Sequence, residues 1–345
     1  MRVLAALDKF RGTVSAHEAT SAVAAACWEL GFDVDEAPMS DGGEGILDVL
    51  GGANRTSRVT GPLGVPVDAA WRLDGRTAVI EMALASGLEL AGGSEGNDPM
   101  AATTSGTGEL ITRAVEQGAR TVVVGLGGSA TTDGGRGAID AIRSRSQIAA
   151  IDLQIACDVR TRFADAAAVF APQKGATPAQ VNLLTARLNR VAEDYRDEYG
   201  VDVRDIDGTG AAGGLAGALL AIGGRLLGGF DLVADHVELS ERLDAADVVV
   251  TGEGYLDEQS LDGKVVGGVS DLAMRACVPV IVIAGDADRD ARVTLAARGS
   301  IDAPVTVISL VERFGDRRPF DEPRWCIEAA ARDALAAVGS EPGSS

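Results

Sequence analysis

Short apolar runs alternate along the chain with small-residue stretches of helical spacing, and glycines or charges punctuate the junctions. Residues 1–7 predict a buried strand ending in Asp8-Lys9-Phe10-Arg11-Gly12. Ser15, with Glu18 three residues on, then makes a capping-box pattern ahead of a helix to about Leu30. A second strand is predicted over 32–38, and the loop Met39-Ser40-Asp41-Gly42-Gly43-Glu44-Gly45 leads from it into a helix at 46–50. From 57 to 83 turn signals separate alternating segments, which predicts antiparallel hairpins. Residues 122–124 read as a buried strand, 125–137 (GLGGSATTDGGRG) as a glycine-rich loop and 138–142 as a helix. Further strands are predicted at 153–157, 169–171, 247–250, 278–283 and 304–308. Helices are predicted up to about Gln117, from Thr177-Pro178 to about Tyr195, after the glycine-rich 208–215, and over 265–276 and 325–338. Residues 143–151 are short and polar and take no assignment.

The strand-then-helix pattern of the first fifty residues returns after about residue 245. The expected fold is therefore α/β with two domains: a Rossmann-like parallel-sheet domain built from both chain ends, residues 1–56 and 245–338, and an inserted mixed α/β domain, 57–244, carrying the GLGGSATTDGG loop. Residues 339–345 are expected to be a disordered tail.

Composition narrows the partners. The 345 residues carry 31 basic and 51 acidic side chains, a formal net charge of −20, which repels nucleic acid and anionic membranes. No apolar run approaches a membrane span and residues 1–7 lack a signal-peptide layout, so a cytoplasmic protein is expected. Cys27, Cys157, Cys277 and Cys326 lack C-x-x-C spacing and are expected to be buried free thiols. Only three bases are lysines, Lys9, Lys174 and Lys264, and all lie near glycines or predicted strand ends, where a compact point charge serves better than a planar fork.

A strand opening through glycines into a helix exposes backbone N–H groups to an anion, and Ser129, Thr131 and Thr132 add hydroxyl donors. Asp133 is placed to cap the helix or to face a metal. Asp41 is read either as a cap or as a Mg²⁺ ligand, and Asp158, at a strand end, as a general base or metal ligand. No G-x-x-x-x-G-K-[ST] occurs, since Val265 follows Gly263-Lys264, which argues against a Walker-type kinase.

Ten stretches in order, DKFRGTVSAHEA, SDGGEG, GPLGVPV, IEMALASGL, ATTSGTGELI, GLGGSATTDGG, ACDV, FAPQKGAT, GTGAAGGL and TGEGYLDEQSLDGK, resemble the bacterial glycerate kinase family of glycerate 2-kinase type. The resemblance spans Asp8 to Lys264 and implies a two-domain α/β enzyme that phosphorylates D-glycerate with ATP and Mg²⁺, giving 2-phosphoglycerate. It departs from the family pattern at Arg11, where lysine is usual, at Thr132, where asparagine is frequent, and at Thr161-Arg162-Phe163, where N-P-L usually follows ACDV. The segment around 143–151 is also shorter by a few dozen residues. On this resemblance, Gly127, Gly128, Ser129 and Thr131 cradle the transferred phosphate, Lys174 and Lys264 neutralise it, and Asp41 or Glu253 holds Mg²⁺. Asp158, with Asp133 as second candidate, faces the acceptor hydroxyl, and Lys9 and Arg11 hold the glycerate carboxylate. The competing expectations are a kinase for another small hydroxy acid or polyol, a silent metabolite-binding homologue, and the galactokinase and mevalonate kinase superfamily, which GLGGSA alone resembles.

Overall fold

A computed structural model of the protein describes residues 1–10, 12–301 and 303–340. Its strands are β1 (Arg2–Leu7), β2 (Asp33–Glu36), β3 (Arg55–Thr60), β4 (Pro66–Asp74), β5 (Thr77–Glu81), β6 (Thr121–Gly125), β7 (Asp152–Ala156), β8 (Arg225–Leu227), β9 (Val248–Leu256), β10 (Val280–Ala287) and β11 (Val305–Ser309). The chain divides into two compact units, Met1–Asp41 with Phe230–Ser345, and Gly42–Gly229.

The first unit is built on a five-stranded parallel sheet in the order β11-β10-β9-β1-β2. Read from β2, and counting strands within the unit, the order is 2-1-3-4-5. In such doubly wound sheets the ligand crevice opens where the order reverses, here between β1 and β9. Five of the six β1 residues are buried, because helices cover both faces, so the strand reads as a continuous apolar run. The helix Ala16–Leu30 starts as the sequence predicts: Glu18 N donates to Ser15 Oγ at 3.2 Å and Ser15 N donates to Glu18 Oε2 at 2.9 Å. It stops at Gly31, whose φ of 72° is left-handed. Its small face, Ala19, Ala22, Val23 and Ala26, shares a core with Ile327, Ala330 and Ala331 of the closing helix Pro323–Ser340.

The second unit holds a six-stranded mixed sheet, β3-β4-β5-β6-β7-β8. β3, β4 and β5 are antiparallel, as the turn signals predict, and β5 to β8 are parallel. Trp71 on β4 is fully buried and satisfies its indole N–H on Ser57 Oγ at 3.0 Å.

Several expectations need correction. The unit boundaries fall at 41/42 and 229/230 rather than 56/57 and 244/245. Residues from 42 go with the second unit because Glu81, closing β5, accepts hydrogen bonds from Gly45 N (3.0 Å) and Leu47 N (3.4 Å) at the start of the helix Ile46–Val49. This carboxylate caps that helix in place of Ser40 or Asp41. Residues from 230 go with the first unit because the Phe230 ring fills the space beside Gly268, where a Cβ would stand 2.3 Å from it, and Arg242 donates to Asp35 at 2.9 Å. The stretch 169–171 is no strand: Val169 lies in the helix Ala166–Phe170, which buries Ala166 and Ala167 in one core with the helix Pro178–Tyr199. The closing helix runs to Ser340, two residues into the expected tail, and 341–345 lie outside the described residues. All four cysteines are free, but only Cys27 and Cys326 are buried; Cys157 is half-buried and Cys277 exposed.

Candidate functional site

In the first unit a cavity of about 570 Å³ opens at the carboxyl ends of β1, β9 and β10. Asp8 and Lys9 follow β1, Glu253 and Gly254 belong to the end of β9, and Asp286 to the end of β10, so the cavity lies at the reversal of strand order. Asp41, Asp257 and Lys264 complete its charged lining, while Phe10, Tyr255, Pro319 and Phe320 supply its apolar wall. Lys9 Nζ stands 3.6 Å from Asp8 Oδ1 and 3.8 Å from Asp41 Oδ1. Asp8 is pushed up to about 6, chiefly by burial; Lys9 opposes the shift and the Asp41 charge adds to it. Burial likewise pushes Glu253 up to about 7, against the Ser260 hydroxyl and with the Asp8 charge. Glu253 Oε1 is buried and takes no hydrogen bond from any described residue. The structure thus brings together Lys9, Asp41, Glu253 and Lys264 of the sequence-predicted residues. Arg11 lies outside the described residues.

The second unit gathers the remainder at the carboxyl ends of β6 and β7. The loop after β6 is clamped from several sides. A Cβ on Gly127 would stand 2.3 Å from Glu44 N, and one on Gly128 would stand 2.1 Å from Glu44 Oε1, so these glycines admit the SDGGEG loop. On the other side, a Cβ on Gly213 would stand 2.0 Å from Thr131 O, and Gly134 N donates to Gly213 O at 3.0 Å. Ala212, Gly213 and Gly214 all have positive φ, which interrupts the helix Ala211–Ala221 where it meets the loop. Thr131 and Thr132 are fully buried; Thr131 Oγ1 donates to Ala212 O, and Thr132 Oγ1 has no partner among the described residues. Ser129 is half-buried and bridges to Gly87.

Asp133 caps the helix Arg136–Ala141. Its Oδ1 accepts from Gly135 N (3.0 Å), and its Oδ2 accepts from Gly137 N (3.2 Å), Thr104 N (2.9 Å) and Thr104 Oγ1 (2.8 Å). Of the two readings open to this carboxylate, capping is the one its bonds serve, and it ties the ATTSGTG loop to the central one. Lys174 is 3% exposed, and its ammonium donates to Thr131 O at 2.6 Å from beneath the loop. Burial pushes it down to about 7, partly opposed by Asp133. Asp158, just beyond β7, accepts from Gly229 N at 2.6 Å.

Sequence reasoning missed three groups. Asn97 Nδ2 donates both to Ala130 O (3.0 Å) and to Lys174 O (2.9 Å), bridging the central loop to the lysine turn; it stands outside every motif, and no local pattern marks it. Glu81 was visible within IEMALASGL, but its partners lie more than thirty residues away in sequence. Asp286 follows an apolar strand as Asp8 does, and that position was its available signal.

The glycerate kinase family model matches residues 3–146 and 138–333, almost the whole chain. The glycerate 2-kinase of Escherichia coli K12 is 37% identical, with 90% of this chain and 91% of that protein covered. The chain belongs to the glycerate kinase family. A Bacillus subtilis 168 protein named glycerate kinase is also 37% identical, covering 98% of both chains. A crystal structure of a Salmonella typhimurium LT2 protein described as a glycerate kinase 2 superposes with a TM-score of 0.81 at 32% identity, covering 99% of this chain and 98% of that one. This glycerate kinase family member is accordingly a phosphotransferase of α/β fold, and use of ATP follows from the family. The two matched stretches of the family model meet over 138–146, at the start of the shortened segment, where the structure places the short helix Arg145–Ile148. No described helix is long and apolar enough to cross a membrane.

Two predictions follow the geometry of the central loop. Gly213→Ala adds left-handed strain of about 1–2 kcal/mol and a clash with the Thr131 carbonyl of about 1–3 kcal/mol. Gly64→Ala, at φ 83° with open space around its Cβ, adds the strain alone. Chemical denaturation should therefore show Gly213→Ala losing about twice as much stability or more; equal losses would remove the close approach. Lys174 gives the second. Between about pH 7 and its ordinary 10.5 the unfolded chain holds a proton that the folded chain has given up, so folding gains stability as pH rises through this window. Relative to Lys174→Met, the wild-type Tm should climb from pH 7 to pH 10, whereas parallel curves would show an ammonium that folding does not desolvate.

Proposed function

We propose that this kinase transfers the γ-phosphoryl group of ATP to D-glycerate, at the 2-hydroxyl, with Mg²⁺. The observation that carries the reading is the 37% identity, over nine-tenths of the chain, to a protein named glycerate 2-kinase. No sequence-predicted site residue lies in the shortened segment, which supports an unchanged acceptor. The acidic surface and the use of ATP fit a cytoplasmic metabolic enzyme acting on small molecules rather than on nucleic acid.

The chemistry asks for a phosphate cradle, a counter-charge and a proton acceptor. Gly127, Gly128 and Ser129 form the cradle, while Thr131, fully buried with its hydroxyl on Ala212 O, gives up its expected place there and holds the loop instead. Lys174 holds the cradle's shape through Thr131 O rather than meeting the phosphate itself, as its burial dictates. The glycerate 2-oxygen attacks the γ-phosphorus, the bond from phosphorus to the β,γ-bridging oxygen breaks, and ADP leaves. Asp158 takes the hydroxyl proton; Asp133, with its oxygens committed to four hydrogen bonds, gives up that second candidacy. Among the described residues no group of three or more His, Cys, Asp or Glu side chains is placed to hold a metal ion. Kinase Mg²⁺ needs no such cage, since one or two carboxylates and the nucleotide phosphates hold it, and the unpartnered Glu253 Oε1 with Asp41 in the same cavity fits that supply. When bound, the ion neutralises charge on the phosphates. Lys264 adds charge at that cavity. Lys9 is already paired with Asp8 and Asp41, which weakens its expected hold on the glycerate carboxylate.

A coupled ADP-release assay with ATP, Mg²⁺ and D-glycerate, run beside L-glycerate, glycerol and erythronate, tests the reading, with ³¹P NMR of the product. The expected outcome is preferred turnover of D-glycerate to a 2-phosphate ester. Preferred turnover of another acceptor, or a 3-phosphate product, would overturn it.

A further inference from the structure

The cavity of the first unit is too large and too acidic for glycerate alone. At about 570 Å³ it lies within the ~300–1,000 Å³ of pockets that enclose nucleotide-sized ligands, and a three-carbon acid would leave most of it unfilled. Its five carboxylates outnumber its two lysines, so a bare glycerate carboxylate is repelled, whereas a nucleotide that carries its own divalent cation is not. Its lining includes apolar groups: Tyr255 and Phe320, 51% and 65% exposed, and Pro319. Exposed aromatic faces at a cavity mouth provide a stacking surface for a flat heterocycle. Asp286 lines the same cavity; its Oδ1 accepts from Ala287 N at 2.8 Å and from Ser309 Oγ at 3.4 Å, and its Oδ2 is the oxygen that can accept hydrogen bonds from a vicinal diol. The position at the reversal between β1 and β9 is where doubly wound sheets take nucleotides.

We propose that this cavity is the nucleoside subsite of the kinase, with the base of ATP against Phe320 and the ribose hydroxyls toward Asp286. The assignment rests on the kinase reading for its role in turnover, but the binding it describes stands without turnover. Glycerate is then held elsewhere than in this cavity.

Phe320 is exposed, so its replacement leaves the fold intact, which an unchanged Tm confirms. Phe320→Ala should raise KM for ATP, and the Kd for MgADP by titration calorimetry, on the order of tenfold, with KM for D-glycerate unchanged. Phe320→Trp should restore both. Inhibition by inorganic tripolyphosphate, which has no base to stack, should be the same in wild type and Phe320→Ala. A raised KM for glycerate with ATP affinity unchanged would overturn the proposal and give the cavity to the acid, and unchanged affinity for both would overturn it as well. If wild type binds MgADP, Phe320→Ala weakens that binding, and no acceptor turns over, the subsite stands and the glycerate reading falls. Absence of MgADP binding by wild type overturns the subsite.

Discussion

The second unit depends on backbones that approach one another more closely than any side chain permits. The loop after β6 meets the SDGGEG loop through Gly127 and Gly128, and the interrupted helix after β7 through Gly213 and Gly214. At Gly127 and Gly213 the nearest atoms to a hypothetical Cβ are backbone, and at Gly214 they are the Phe163 ring and Gly134 Cα, so relief by side-chain movement is largely closed off there; at Gly128 the neighbour is the movable Glu44 carboxylate. Hydrogen bonds then fix what the glycines allow. Asp133 draws in Thr104 and the amides of Gly135 and Gly137, Lys174 supports Thr131 from below, and Asn97 fastens Ala130 to the lysine turn. Loops that are far apart in sequence therefore form one packed layer at the carboxyl ends of the parallel strands, and the loop at its centre is held in one conformation before any ligand arrives. Such preorganisation is the condition for aiming dipoles at a developing charge.

The architecture was legible where local chemistry and burial agree. β1 and β9 are buried on both faces and read as apolar runs; the helix at 16 announces itself by Ser15 and Glu18, capping neighbours three residues apart, and the helix at 178 by a hydroxyl followed by proline, both local signals. The stretch 169–171 was misread because Val169 and Phe170 are β-formers in isolation; the packing of Ala166, Ala167, Phe170 and Ala171 with the helix Pro178–Tyr199 overrides the propensity, and Val169 stays exposed. Both unit boundaries were displaced for a related reason. The turn chemistry at 57 and the apolar run at 247 are visible in the sequence, but the contacts that assign 42–56 and 230–244 run from Glu81 and Asp35, residues with no sequence neighbour to betray them.

The scarcity of lysine is explained by what the three do. Lys174 sits where one carbonyl is at hand; an arginine there would bring five donors into a site that cannot satisfy them and could not release its proton. Lys9 and Lys264 stand in the carboxylate-lined cavity, where a compact charge fits between acids without the reach of a guanidinium. Arginine covers the exposed surface, where bidentate pairs such as Arg225 with Asp152 have room.

Carboxylates at strand ends look alike in sequence, and the sorting between them comes from their partners. Asp133 and Glu81 give their lone pairs to backbone N–H groups, so they hold loops and helix starts, and a proton or metal arriving at either would have to break bonds that the fold needs. Glu253 is half-buried, with one buried oxygen uncommitted among the described residues, and Asp8 beside it is raised by burial and by Asp41. Burying charge in this state costs stability that Lys9 and the Ser260 hydroxyl offset only in part. Folding bears that cost at the reversal of the parallel sheet, in the same cavity as Lys264 and the exposed aromatic wall. That burial, only partly offset, separates Glu253 and Asp8 from Asp133 and Glu81, whose bonds go to the backbone and shape the fold.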